Sequence, residues 1–403
     1  MFVVQLNRLL VAAAISCIGC ASAARADWAG CQSKPTRACV FEEALRGDSG
    51  PLTGKDRLDV LIQGGALSHP DAITAGDVAE AQGLAQAARN ITGYYYSLLA
   101  IQGLVAANQK QQAIDLVTGF TGALQTLSIT ELVKDLVKAG DTETALALPD
   151  RMQPPPDPKA RPGIQNAAVV TTARTLAETG KTDQALSFIA AQNYLTDSDR
   201  ADLQAAVALA FAKKGDTKRA QATFDQAQGS LDSAQRSAAG RRPELLLRIA
   251  SIRLLALRGQ GDAAINALQQ YRPSIDTVAP DALTDYDRSQ GYQRIVAALL
   301  EGKQPDAALT LAKSLTPDAT KEAAVTAVAI WYANNGRLAD ARTLLSSMPN
   351  TQETATRVAI LRNVAIASAK GGDIASALRL ANELHTPLNR RGTLFAIALA
   401  LPQ

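Results

Sequence analysis

At 403 residues the chain is long enough for two or three ordinary domains, and its 47% hydrophobic content includes only 4% aromatic residues, with alanine supplying much of the remainder. That balance suits closely packed helices and excludes a β-sandwich or barrel, whose strands need more β-branched and aromatic side chains. Charged residues make up 20% of the chain in mixed sign, with a net charge of +3, so no electrostatic footprint for nucleic acid is expected.

Residues 1–26 read as a signal peptide. Arg8 supplies the positive start, Leu9 to Ile18 is apolar, and Ala24-Arg25-Ala26 is a small-x-small cleavage site before Asp27. The apolar run is too short to span a bilayer, so no integral membrane span is expected after cleavage. Acylation at Cys17 or Cys20 is the alternative, although the residues before Cys20 lack the usual leucine. Loss of Arg8 and Arg25 leaves 39 basic against 38 acidic residues, a net charge of +1, and retains two of the four cysteines. Cys31 and Cys39, eight apart in an exported chain, are expected to form a disulfide that staples Trp28 to Leu45, within an N-terminal segment over 27–59. Metal binding by the pair is the alternative, and no histidine lies near it.

The next stretch repeats. A turn residue is followed five positions later by alanine at Asn108/Ala113, Gly140/Ala145, Gly180/Ala185, Gly215/Ala220, Gly259/Ala264, Gly302/Ala307, Gly336/Ala341 and Gly372/Ala377. The intervals of 32 to 44 residues are those of stacked helical pairs. Apolar residues recur seven positions before each turn, and six of the eight residues four before are large, as at Ile252 and Leu255 or Ala329 and Tyr332. The predicted unit is a first helix ending at a left-handed glycine cap, then a second helix whose alanine lies where the two touch. A looser pair, Gly76 and Ala81, suggests a ninth unit.

This pattern resembles the tetratricopeptide repeat over roughly residues 60 to 403. Gly140-Asp141, Gly215-Asp216 and Gly372-Asp373 match that family's turn, and Tyr332 its aromatic. The family's helix-A tryptophan is replaced by Val325 in the best repeat and by Ser97, Gln204, Arg248 or Gly291 in others. The resemblance implies an all-α fold, a right-handed α-solenoid of antiparallel helix pairs. It also implies a concave face, lined by the first helices, that binds a protein or peptide.

Between the repeats, Gln153 to Gly163 holds five prolines and reads as an extended connector. It separates helical repeats over 60–152 from those over 164–403, either as a divide between two lobes or as a long loop in an unbroken stack. Pro149 cuts short the helix before it. Gly229 to Pro243 and Arg272 to Asp285 lengthen two further units. After Pro387, Asn389 to Leu401 reads as a final helix, apolar on more sides than a polar cap should be. It tucks against the preceding pair or docks to another chain.

Chemistry is sparse. His69 and His385 stand far apart without neighbouring ligand types, and no nucleophile elbow, phosphate loop or metal spacing occurs. The adjacent Glu42 and Glu43 read as a solvated first turn. Asn90-Ile91-Thr92 fits a glycosylation sequon. No catalytic residue, cofactor or metal is expected. By register, Arg253 and Ile330, six before their turns, and Arg362, ten before its turn, face the groove. Arg248, Arg253 and Arg258 share one helix and are candidates to meet an acidic peptide or a chain-terminal carboxylate. Tyr94, Tyr95 and Tyr96 spread over about 200° of a helix, so at least one should be exposed. Trp331, beside Tyr332, is a further candidate anchor. The leading functional expectation is a non-catalytic, exported scaffold for a protein or peptide partner in the periplasm. A structural subunit that self-associates or docks into an envelope complex is the second, and a cell-wall-acting enzyme the third.

Overall fold

The computed structural model describes residues 28–88, 91–151, 161–192, 195–236, 241–276, 285–316, 318–347 and 353–402. The signal segment, the sequon asparagine, most of the proline-rich connector and parts of the two longer inserts lie outside the described residues. The fold is all-α, and among the described residues the strands are a two-residue hairpin, β1 (Arg46–Gly47) with β2 (Gly50–Pro51).

Around that hairpin stand α1 (Trp28–Ser33), α2 (Arg37–Ala44) and α3 (Gly54–Gly64). The Sγ atoms of Cys31 and Cys39 lie 2.01 Å apart, so a disulfide joins α1 to α2. Gly65, left-handed at φ 93°, ends α3, and two short 3-10 turns lead to α4 (Ala75–Ala88). This is the ninth pair, but Gly76 lies inside α4 rather than at its turn, while Ala81 is buried as expected.

Eight further pairs follow: α5 (Ile91–Ala106) and α6 (Lys110–Thr118), α7 (Gly122–Lys138) and α8 (Thr142–Arg151), α9 (Arg161–Glu178) and α10 (Thr182–Ala191), α11 (Asp197–Lys213) and α12 (Thr217–Arg236). Then come α13 (Arg241–Leu257) and α14 (Gly261–Asp276), α15 (Asp285–Glu301) and α16 (Pro305–Lys313), α17 (Asp318–Asn334) and α18 (Leu338–Ser346), α19 (Ala355–Lys370) and α20 (Ile374–Asn382). A single helix, α21 (Pro387–Ala400), ends the series. Helix α9 starts at Arg161, inside the expected connector, because Pro162 falls in its first turn, where a missing N–H costs nothing. Across the connector α7 packs directly on α9.

Each turn is closed by one recurring hydrogen bond. The N–H after the left-handed residue donates to a carbonyl five positions back, as from Asp141 to Leu136 (2.8 Å), Gln260 to Leu255 (3.0 Å) and Asp373 to Ser368 (2.9 Å). The aspartate of the Gly-Asp turns then caps the second helix. Asp141 accepts from the Thr144 N–H (3.3 Å), Asp216 from Arg219 (3.1 Å) and Asp373 from Ser376 (3.1 Å).

Seven of the eight alanines expected at the crossings, Ala113, Ala145, Ala185, Ala220, Ala264, Ala341 and Ala377, are wholly buried. The exception is Ala307, which is half-buried, and Ala308 fills the crossing instead. The recurring bond there runs from Gln304 to Leu299 (2.9 Å), so the left-handed residue is Lys303, at φ 58°, and not Gly302. Gly302 is held by a different need: a Cβ there would collide with the Ala256 carbonyl.

The odd-numbered helices from α3 form a continuous row, each packing on the next, and the even-numbered helices lie along it. The row does not end at α21. That helix packs on α19 and α20, and equally on α2 and α3 at the other end of the chain. The neighbours therefore close on themselves: α21 is the first helix of a pair whose second helix, α2, comes from the N-terminus. Phe395, wholly buried, meets the ring of Phe41 of α2 at a tilt, with 4.6 Å between ring centroids. Two glycines allow the approach to α3. A Cβ on Gly64 would stand 2.5 Å from the Phe395 ring, and one on Gly392 would stand 2.6 Å from Cγ of Gln63. Polar contacts edge the seam: Gln63 Nε2 donates to Asn389 Oδ1 (3.0 Å), and Arg390 and Arg391 pair with Glu43 (3.6 Å) and Asp48 (3.5 Å). The all-round apolar character of α21 thus has its partner within the same chain. Glu42 and Glu43 lie in the last turn of α2, not a first one, and pair with Arg46 (3.3 and 3.4 Å).

Candidate binding groove

A basin of about 390 Å³ is bounded by α9, α11, α13 and α15, all from the odd-numbered row. Lys213, at the end of α11, reaches past α13 to pair with Glu301 at the end of α15 (3.0 Å). Side chains two helices apart thus meet at one edge of the basin.

Five cations and two acids line the basin. Arg174 of α9 pairs with Asp202 of α11, Lys213 pairs with Glu301, and Lys214 Nζ donates to the Gly180 carbonyl. Arg253 of α13 and Arg294 of α15 carry no hydrogen bond or ion pair among the described residues. Arg253 is half-buried and its Nε is shut off from water with no acceptor. Burial, and then the nearby charge of Arg294, push its guanidinium down to about 10, against the smaller opposing pull of Glu301 and Asp202. The apolar part of the wall comes from small and branched residues, among them Ala205, Leu209, Leu246 and Ile249.

The three arginines that share α13 do not share a face. A step of five residues turns a helix by about 140°, so Arg248, Arg253 and Arg258 point three ways. Arg248 lies over the Tyr271 ring of α14 at 4.7 Å, on the side facing the second helix. Arg258 Nη2 donates to Gln221 Oε1 of α12 (2.9 Å). Arg253 alone reaches the basin. Arg174 was not foreseen there, although it stands six residues before Gly180, the position Arg253 holds before Gly259. Arg294 offers no such signal.

The tyrosine run is divided in the same way. Tyr96 is buried, only 4% exposed, and donates to Asp59 Oδ1 (2.7 Å), so it cannot serve as a docking anchor. Tyr94 is half-buried and donates to Glu131 Oε1 (3.3 Å); its burial, and then the Glu131 carboxylate, raise its hydroxyl to about 12. Tyr95, 51% exposed, is the one left to solvent. Trp331 is half-buried and edge-on to Tyr332 at 6.0 Å. Ile330 is half-buried. Arg362 lines a second hollow, of about 410 Å³, beside Gln63, Glu353 and Asn389 at the seam. Its Nε and Nη2 are buried without acceptors, and burial lowers its pKa.

Among the described residues no group of three or more His, Cys, Asp or Glu side chains is placed to hold a metal ion, and both histidines are exposed. No described helix is long and apolar enough to cross a membrane. Compared with models of known protein families, the chain matches none, and no curated protein sequence matches it.

Proposed function

We propose that this protein is an exported, non-catalytic scaffold that holds a protein or peptide segment in the basin of α9 to α15. In this reading it is a tetratricopeptide-like, right-handed solenoid whose last pair is completed by its own first helices. The observation that carries the proposal is Arg253. An unpaired, half-buried guanidinium in a concave wall costs folding energy and gains nothing within the chain, so it marks a surface kept for something else. Export is supported by the disulfide between Cys31 and Cys39, a pairing that persists in oxidising compartments such as the periplasm. The alternative, a subunit that assembles through its terminal helix, is disfavoured because both sides of α21 are covered by α2, α3, α19 and α20.

The test is affinity capture from a cell-envelope extract. Ala206, half-buried in the basin wall, is replaced by tryptophan to fill it, and Ala222, exposed on α12, receives the same change as a control. Ala206→Trp should abolish recovery of the partner and Ala222→Trp should not. Equal recovery with both would remove the basin from the account.

A further inference from the structure

We propose that the basin carries an oxyanion site, in which Arg253 and Arg294 together take a phosphoryl or carboxylate group borne on a body with apolar surface. This rests on the reading that the basin is the binding surface, and it names the chemistry recognised there.

The two arginines are brought together by a helix contact built for close approach. Gly291 of α15 is buried against Ile249 of α13, and a Cβ there would stand 2.8 Å from Ile249 Cδ1. Ile249 and Arg253 are four apart on one face of α13, and Gly291 and Arg294 are three apart on one face of α15. Contact at the first residue of each face therefore sets the second residues side by side. The Arg294 guanidinium is near enough to disfavour the charge on Arg253, and neither arginine forms an ion pair or hydrogen bond with an acid among the described residues. Arg174, Lys213 and Lys214, by contrast, all have acceptors. Two adjacent planar donor groups with vacant N–H positions match the several acceptor oxygens of one anion. A basin of about 390 Å³ is in the range of small-ligand sites, and its apolar wall leaves room for more than the anion itself.

The experiment is titration calorimetry of the full chain with phenyl phosphate and with benzylsuccinate, which separate the phosphoryl from the carboxylate source, with inorganic phosphate as the probe lacking a body. At least one aromatic probe should bind saturably and more tightly than inorganic phosphate. Arg253→Gln and Arg294→Gln should each weaken it roughly tenfold or more, and Arg253→Lys by less. Arg342→Gln, outside the basin on α18, should leave it unchanged. The unfolding midpoint of unliganded Arg253→Gln should equal or exceed that of the natural chain, since an unpaired charge is removed, and this also shows that the variant folds. Saturation by neither aromatic probe overturns the site, as does unchanged binding in the double variant Arg253→Gln/Arg294→Gln. Should Ala206→Trp abolish partner capture while the arginine variants bind probes and partner normally, the basin reading survives and the oxyanion site falls. Should probes bind through the two arginines while Ala206→Trp captures normally, the site stands and the partner reading falls.

Discussion

The seam between α21 and α3 and the wall between α13 and α15 are built with the same device and put to different use. In both, a glycine without a side chain lets a large apolar residue of the neighbouring helix approach: Gly64 meets Phe395 in one, Gly291 meets Ile249 in the other. At the seam the residues beyond that contact continue the core, with Leu394, Ile397 and Ala398 wholly buried. At the wall the residues one turn further on are Arg253 and Arg294, left without partners. Close packing is therefore the scaffold's general solution, and at the basin it leaves Arg253 without an acceptor, as beside the seam it leaves Arg362.

That contrast can be broken most severely at Phe395. Its replacement by alanine empties a wholly buried site and should cost about 3–5 kcal/mol, read as a lowered midpoint of denaturant unfolding. A finer comparison sets one substitution in two places. Gly64→Ala forces a methyl group into the Phe395 ring and should destabilise by about 1–3 kcal/mol. Gly229→Ala lies on an exposed stretch of α12 with nothing within 4 Å of the new methyl, and should stabilise by roughly 0.5–1 kcal/mol through helix propensity. Equal effects would mean that the seam is not tightly packed.

The smallest effect expected is a pH dependence at the start of α21. Glu353 accepts hydrogen bonds from the Thr386 N–H (3.0 Å), the His385 N–H and Asn389 Nδ2 (2.9 Å). Burial works to raise its pKa, but these bonds outweigh it and hold the carboxyl at about 2, against an ordinary 4.5. Because the folded value is depressed, its contribution is complete above pH 4.5 and is lost as pH falls toward 2. Glu353→Gln should flatten the stability profile in that window and leave it unchanged in shape above it.

Much of the frame was legible in the sequence because its signals are local. A glycine followed five residues later by alanine specifies a left-handed cap and a close crossing, and seven of the eight crossings lie where that spacing put them. The register slipped at Gly302 because glycine is the usual left-handed residue, whereas the chain uses Lys303 and spends the glycine on the Ala256 carbonyl. The closure was not legible. The apolar surround of α21 announced a partner, but α2 and α3 lie more than 300 residues away and carry no matching repeat. At the basin, the position of Arg253 followed from register alone. Arg248 and Arg258 share its helix but not its face, because each step of five residues turns a helix by about 140°.

The closure itself is tested most directly by hydrogen exchange on the full chain carrying Phe395→Ala. Loss of protection is predicted at residues 37–44 and 54–64, in α2 and α3, together with α19 to α21, while α9 to α13 keep theirs. A loss confined to α19 to α21, with the amides of α2 and α3 as protected as before, would contradict the joining of the chain's two ends.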